Sequence, residues 1–174
     1  MIFAVNTGSA SKKYALYDNG HEILRIHLEL ENGKFIANIK FGESATKQEI
    51  SDANFNDSIN LFLALALTKG AIKDKSEIER IGIRIVAPGE YFYSHNTVDQ
   101  VFIEKLKDAR EFAPLHIDPI ITELVELEKN LHGVPVVAVS DSAFHISLPD
   151  NARFYAIPKN VADKFGIFRF GYHG

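Results

Sequence analysis

The chain opens Ile2-Phe3-Ala4-Val5-Asn6-Thr7-Gly8-Ser9-Ala10-Ser11-Lys12-Lys13-Tyr14 after its first methionine, and the fold turns on how that stretch is read. Ile2 to Val5 is a short apolar run bounded by Asn6-Thr7-Gly8, the pattern of a buried strand that ends in a turn. Gly8 frees the backbone to reverse, Ser9 and Ser11 add hydroxyls, and Lys13 lies on the next strand. Consecutive backbone N–H groups in such a turn form an anion nest, to which hydroxyls and an ammonium add donors. Taken alone, the same residues also make an ordinary hairpin turn. The Gly-x-x-x-x-Gly-Lys spacing of a Walker loop is missing.

Working outward, Lys13 to Tyr17 is extended, and Asp18-Asn19-Gly20 and Glu31-Asn32-Gly33 are hairpin turns. His21 to Leu30 alternates, with Ile26, Leu28 and Leu30 on one face, and Phe35 to Phe41 alternates again. The pattern predicts an antiparallel meander of about four strands. Asn54 to Thr68 carries Ile59, Phe62, Leu63, Ala66 and Leu67 at helical spacing, and Gly70 stops it. Ile81 to Val86 is an apolar strand interrupted by Arg84. Thr97-Val98-Asp99-Gln100 reads as a capping box opening a helix to about Ala109. Asp118-Pro119 caps another helix, which Gly133 ends. Val134 to Val139 is a near-continuous β-branched run, a strand buried on both faces, and the aromatic run Phe165 to Tyr172 suits a final strand. The expected class is α/β: one mixed sheet with flanking helices, residues 1–174 forming a single domain.

Composition excludes several alternatives. At 174 residues the chain is long enough to bury a real core, and its shares of 46% hydrophobic and 24% charged residues are those of a soluble domain. The net charge of −4 leaves no basic stripe to neutralise phosphates, which argues against a nucleic-acid partner but not against a small anion. Without cysteine there is neither disulfide nor thiolate metal site, consistent with a cytoplasmic location. The start shows no basic leader, and the most apolar run, Leu61 to Leu67, is far too short to span a bilayer, so no membrane role is expected.

Four other positions carry chemistry. Arg84, inside an apolar strand, must reach a carboxylate or an anionic ligand, and its planar fork suits either. His116 precedes a helix start in Ala113-Pro114-Leu115-His116. Asp141 ends a buried strand, where α/β sheets place functional groups, yet it equally reads as the N-cap of Ser142-Ala143-Phe144-His145. His173 lies in Gly171-Tyr172-His173-Gly174, a stretch without a polar tail that reads as a poor place for a natural end. The remaining histidines read as solvated or locally satisfied, and none has the partners of a zinc site.

Taken in order these segments resemble the acetate kinase family. Asn6-Thr7-Gly8-Ser9-Ala10-Ser11-Lys12-Lys13-Tyr14 is similar to its N-terminal signature, and Ile81-Gly82-Ile83-Arg84-Ile85-Val86 with Gly89-Glu90 to its arginine motif. Ala113-Pro114-Leu115-His116 matches its Ala-Pro-Leu-His segment. Val139-Ser140-Asp141-Ser142-Ala143-Phe144-His145 with Pro149 resembles its Phe-Asp-Thr-Ala-Phe-His motif, and Tyr172-His173-Gly174 the start of its His-Gly-Thr-Ser-His signature.

The resemblance implies one lobe of ribonuclease-H-like fold, as in actin and sugar-kinase ATPases, and reversible phosphoryl transfer from ATP with Mg2+ to acetate, giving acetyl phosphate and ADP. By the same resemblance Asn6, Ser9, Ser11 and Lys13 form the phosphate and magnesium end, with Asn6 nearest the metal. Arg84 holds the carboxylate or the moving phosphoryl group, His116 and His173 donate to its oxygens, and Asp141 positions metal or nucleophile. Val86, Leu115 and Tyr172 line the acyl pocket. Family members are roughly twice as long, so the chain is expected to be the N-terminal lobe, inactive and monomeric alone, without the nucleotide lobe and most of the homodimer interface. Ile83, Ala87-Pro88 and Ile117 depart from the family pattern, which leaves open another short acid such as propionate, or a non-catalytic anion-binding module.

Overall fold

The computed structural model describes residues 1–8 and 11–171; Ser9, Tyr172 and His173 therefore lie outside the described residues. Strands β1 (Ile2–Thr7), β2 (Ser11–Asp18), β3 (His21–Glu31), β4 (Lys34–Phe41) and β5 (Ser44–Ile50) form an antiparallel meander. Helices α1 (Asp52–Asn56) and α2 (Ser58–Thr68) follow, then β6 (Arg80–Ile85), β7 (Asn96–Thr97), α3 (Gln100–Ala109), α4 (Pro114–Asn130), β8 (Val136–Ser140), α5 (Asp150–Arg153) and α6 (Lys159–Phe165). They make one eight-stranded sheet in the order β5-β4-β3-β2-β1-β6-β8-β7. β1 pairs with β6, and β6 with β8, in parallel, so the expected mixed sheet with flanking helices is what the chain forms.

The residues explain the layering. Phe3 and Val5 of β1, Leu24, Ile26 and Leu28 of β3, and Ile81, Ile83 and Ile85 of β6 alternate inward and are buried against the helices. Phe62 of α2 stacks on Phe3 with ring centroids 4.7 Å apart, and α4 packs against α2, α3 and β1. Each fully buried side chain of this size contributes about 1.5–3 kcal/mol. The opposite sheet face carries Asn6, Lys13, Gly82, Arg84, Val137 and Val139, none of them buried.

Inside the core sits one polar cluster. Glu123 of α4 is 2% exposed. Lys12 Nζ lies 3.3 Å from its Oε2, and the Tyr14 hydroxyl donates to its Oε1. Lys12 also donates to Ser58 Oγ at 2.8 Å; with the Tyr14 proton committed to Glu123, Ser58 in turn donates to the Tyr14 oxygen, 2.7 Å away. Burial first, then the charge of Glu123, pushes the Tyr14 hydroxyl far above the ordinary phenol range, so it stays a donor.

Several expectations are corrected. The meander has a fifth strand, β5; its sequence Ser-Ala-Thr-Lys-Gln-Glu-Ile is exposed except at Ile50 and so shows no apolar alternation. The helix expected over Asn54 to Thr68 is two, broken at Asp57, where φ is −97° and ψ 40°. The cap of α3 is Asp99, which accepts from Phe102 N, while Thr97 belongs to β7. Helix α4 begins at Pro114, not at Asp118; Pro119 lies inside it and Asp118 pairs with Arg110. β8 is buried on one face only, Val137 and Val139 being 37% and 44% exposed. No strand forms over 165–171: Phe165 ends α6, and Gly166 closes it in the left-handed region at φ 60°.

The raised proton affinity of Tyr14 has a pH signature. A group held protonated in the fold stabilises it fully below the unfolded pKa and loses that contribution as pH rises. The protein is expected to lose stability above about pH 10, and a Tyr14→Phe variant to lose it less steeply, in urea unfolding followed from roughly pH 9 to 11.

Candidate functional site

Parallel pairing builds the site. Val5 lies beside Ile83 in register, so Asn6 and Arg84 follow side by side on the same face. Arg84 is paired with Val139 on β8, and Asp141 stands just past that strand, its backbone N–H donating to Ile85 O at 3.0 Å. Three adjacent parallel strands thus deliver Asn6, Arg84 and Asp141 to one end of the sheet, the carboxyl end, where open α/β sheets bind ligands.

Arg84 forks onto Asp141: Nε donates to Oδ1 at 2.8 Å and Nη2 to Oδ2 at 2.5 Å. Its Nη1 donates to Asn6 Oδ1 at 3.2 Å. The hydrogen bonds to Asp141 hold the guanidinium above its already high range, the carboxylate charge adding to them and partial burial opposing. Asp141 makes no side-chain cap to the turn Ser142–His145, so its carboxylate is turned to Arg84 and not to a helix start. Among the described residues two buried hydroxyl oxygens lack a partner, Thr7 Oγ1 and Ser142 Oγ, and they belong to the residues that directly follow Asn6 and Asp141. Buried polar groups are rarely left unsatisfied, and such exceptions suit a water or ligand.

The other expected residues are placed unevenly. Lys13 is opposite Asn6 across β1 and β2, exposed on the same face. The Ser11 carbonyl accepts from Gly8 N at 2.9 Å, closing the turn. His116 is exposed on the first turn of α4. Of the expected acyl pocket, Val86 is 7% exposed, Leu115 is 78% exposed and Tyr172 lies outside the described residues. A groove of about 380 Å³ does adjoin Arg84, Asn6 and Lys13, but its lining includes Ala4, Gly82 and Val139 and neither Val86 nor Leu115. Sequence reasoning missed those three small residues; their signal was alternation on the outward face of β1, β6 and β8. It also missed Glu123, an acid within the apolar stripe Ile120, Leu124, Leu127.

The segment leading to Tyr172 is pinned from two sides. The Arg153 guanidinium lies 4.7 Å from the Tyr93 ring centroid and 4.6 Å from that of Phe168, the two rings meeting edge to face, and the Tyr93 hydroxyl donates to Arg169 O at 2.5 Å. Gly171 has φ 82°, and a Cβ there would come within 2.2 Å of the His145 ring. The donors at the sheet end could hold a carboxylate or phosphate. Among the described residues no three His, Asp or Glu side chains gather as a metal cage. The oxygens of Asn6, Thr7, Asp141 and Ser142 are nevertheless the hard donors that suit Mg2+.

Known proteins share this chain's sequence pattern and fold. The pattern of the Acetokinase family matches residues 1–174. The acetate kinase of Caldanaerobacter subterraneus subsp. tengcongensis is 36% identical over 99% of this chain, which covers 45% of that protein. The crystal structure of Porphyromonas gingivalis acetate kinase superposes with a TM-score of 0.84 at 27% identity, and a propionate kinase from Francisella tularensis with 0.83 at 27%; each covers 99% of this chain and 45% of its own. The fold is the ribonuclease-H-like lobe of the actin and sugar-kinase type, and the chain spans about half the length of the curated relatives it matches.

The His145 contact predicts that Gly171→Ala loosens the C-terminal segment, since a side chain there meets both the ring and a left-handed backbone. Amide exchange of residues 166–171 is expected to quicken about tenfold or more, with the β1–β6 amides unchanged.

Proposed function

Because the chain belongs to the acetokinase family, we propose that it supplies the acyl-substrate and phosphate side of an enzyme transferring phosphate reversibly between ATP and a short-chain carboxylate, acetate first. The observation that carries this is the convergence of Asn6, Arg84 and Asp141 on three adjacent strand ends, with Lys13 beside them. Phosphoryl transfer to a carboxylate needs no protein nucleophile; it needs in-line positioning and donors around the equatorial oxygens. In this reading Arg84 orients the carboxylate or the moving phosphoryl group, Lys13 and the Asn6 to Ser11 loop hold phosphate, and His116 and His173 donate to its oxygens. Magnesium, held by Asp141 and Asn6, would neutralise phosphate charge. The nucleotide side, and the homodimer contacts, would come from the remaining length of the relatives, leaving residues 1–174 as one monomeric lobe that works in the cytoplasm.

The retained donors favour the enzyme over a decayed binding module, and three of the four departures from the family pattern lie in the core. Ile83, Ala87 and Ile117 are each 0% exposed. They alter packing, while the candidate donors Asn6, Lys13, Arg84 and His116 stand at the surface or partly exposed. The acid itself is less constrained, because a small apolar wall discriminates a methylene by only about 1–3 kcal/mol.

Binding and turnover test the reading separately. Acetyl phosphate titrated into the chain is expected to bind weakly, and Arg84→Ala to weaken it about tenfold or more. An unchanged affinity would show that Arg84 is not in the site. An ATP-dependent acyl hydroxamate assay on residues 1–174 is expected to show no turnover; clear turnover would refute the one-lobe reading.

A further inference from the structure

Strand pairing gathers cations on the outward face of the meander, in two rows that run across the strands. In one row Lys13 of β2 lies opposite His27 of β3, His27 opposite Asn38 of β4, and Asn38 opposite Lys47 of β5. In the next, Ala15 lies opposite Arg25, Arg25 opposite Lys40, and Lys40 opposite Ala45. Positions two apart on a strand point the same way, so both rows share one face. Lys13, Arg25, His27, Lys40 and Lys47 line a groove of about 490 Å³ whose lining holds no Asp or Glu. That is a local reversal of the whole chain, in which 23 acidic residues outnumber 19 lysines and arginines.

Charge is balanced elsewhere on these strands but not in the groove. Lys34 meets Glu49, and Lys47 meets Glu31, at 2.7 Å each. Arg25 instead stands directly opposite Lys40, and like charges in that position destabilise a sheet. Glu22 and Glu29 approach Arg25 and His27 only to 3.6 Å, beyond hydrogen-bond reach. Among the described residues Lys13 and Lys40 have neither a side-chain hydrogen bond nor an ion pair, and Arg25 has no side-chain hydrogen bond. Water screens the repulsion, since Arg25 is 51% exposed, so the fold tolerates it. A carboxylate across from either residue would have relieved it, as Glu49 does for Lys34.

The spacing suits an anion with more than one charged group. Strand separation and rise put Arg25 about 5 Å from Lys40 and roughly 8 Å from Lys13, between Cα positions. A guanidinium fork takes two oxygens of one phosphate, and the ammoniums to either side can take others. A nucleic acid would ask for a longer basic stripe than one groove supplies. Lys13 also lines the groove beside Asn6 and Arg84, so the two depressions are continuous.

We propose that the outward face of β2, β3 and β4 binds a small anion carrying several phosphate groups, at a second site beside that of Asn6, Arg84 and Asp141. The second site does not depend on what Arg84 contacts.

Tripolyphosphate titrated into the chain tests this, with backbone amide shifts as the readout. The largest shifts are expected at Lys13, Arg25, Lys40 and their strand neighbours, with affinity falling as salt rises and the thermal midpoint rising with the probe. In Arg25→Gln/Lys40→Gln, two exposed substitutions, affinity for tripolyphosphate is expected to fall about tenfold or more while affinity for acetyl phosphate stays unchanged. Without the probe, at low salt, the midpoint of this variant is expected to equal or exceed the parent's, because the like-charge pair is gone. Arg84→Ala is expected to spare tripolyphosphate binding, so failure of the Arg84 reading leaves the test of the groove intact. Absence of binding, shifts confined to Asn6, Arg84 and Asp141, or an affinity that the double variant leaves unaltered would overturn the proposal.

Discussion

Side-chain alternation in a parallel strand pair admits no slippage, and the register of β1 against β6 is the constraint on which the molecule rests. With Val5 beside Ile83, the inward set Phe3, Val5, Ile81 and Ile83 meets the helices, and the outward set ends in Asn6 and Arg84. A shift of one residue would turn both sets over, burying a guanidinium and exposing isoleucine. Core and donors are thus specified by one alignment. The Arg84 fork onto Asp141 then extends it to β8, linking residues 57 apart in sequence through a pair that holds both groups in one geometry.

The helical layer obeys a second alignment. Apolar burial attaches α4 to the sheet, and the buried carboxylate of Glu123 adds directional bonds to Lys12 and Tyr14 of β2. Lys12 and Lys13 show how one strand serves both sides: consecutive lysines on β2, the first turned to the core carboxylate, the second to the open face beside Asn6. The same two residues join the packing of the helices to the chemistry of the loop.

What the sequence disclosed follows from how local each signal is. The hairpin turns at Asn19-Gly20 and Asn32-Gly33 are local, and both asparagines take the positive φ that such turns ask for. Arg84 could be singled out because a charge in Ile83-Arg84-Ile85 is anomalous anywhere. That its partners are Asp141 and Asn6 could not, since those lie 57 and 78 residues away and only pairing brings them near. β5 was invisible because a charged edge strand has no apolar rhythm. Asp118-Pro119 misled because proline is as good a start signal as it is a tolerated interior residue near a helix N-terminus. Val86 and Leu115 were assigned together to a pocket by resemblance, yet one packs into the core and the other faces solvent.

The two ends of the sheet close the account. β5 presents Lys47 paired to Glu31 and Glu49 to Lys34, and at the far side β7 is only two residues long. Unpaired strand edges invite the addition of another chain, and charge at one edge and brevity at the other are the means by which natural sheets refuse it. An eight-stranded sheet would otherwise be a template for its own polymer. Blunted at both margins, this one resists edge-to-edge aggregation through its own strands.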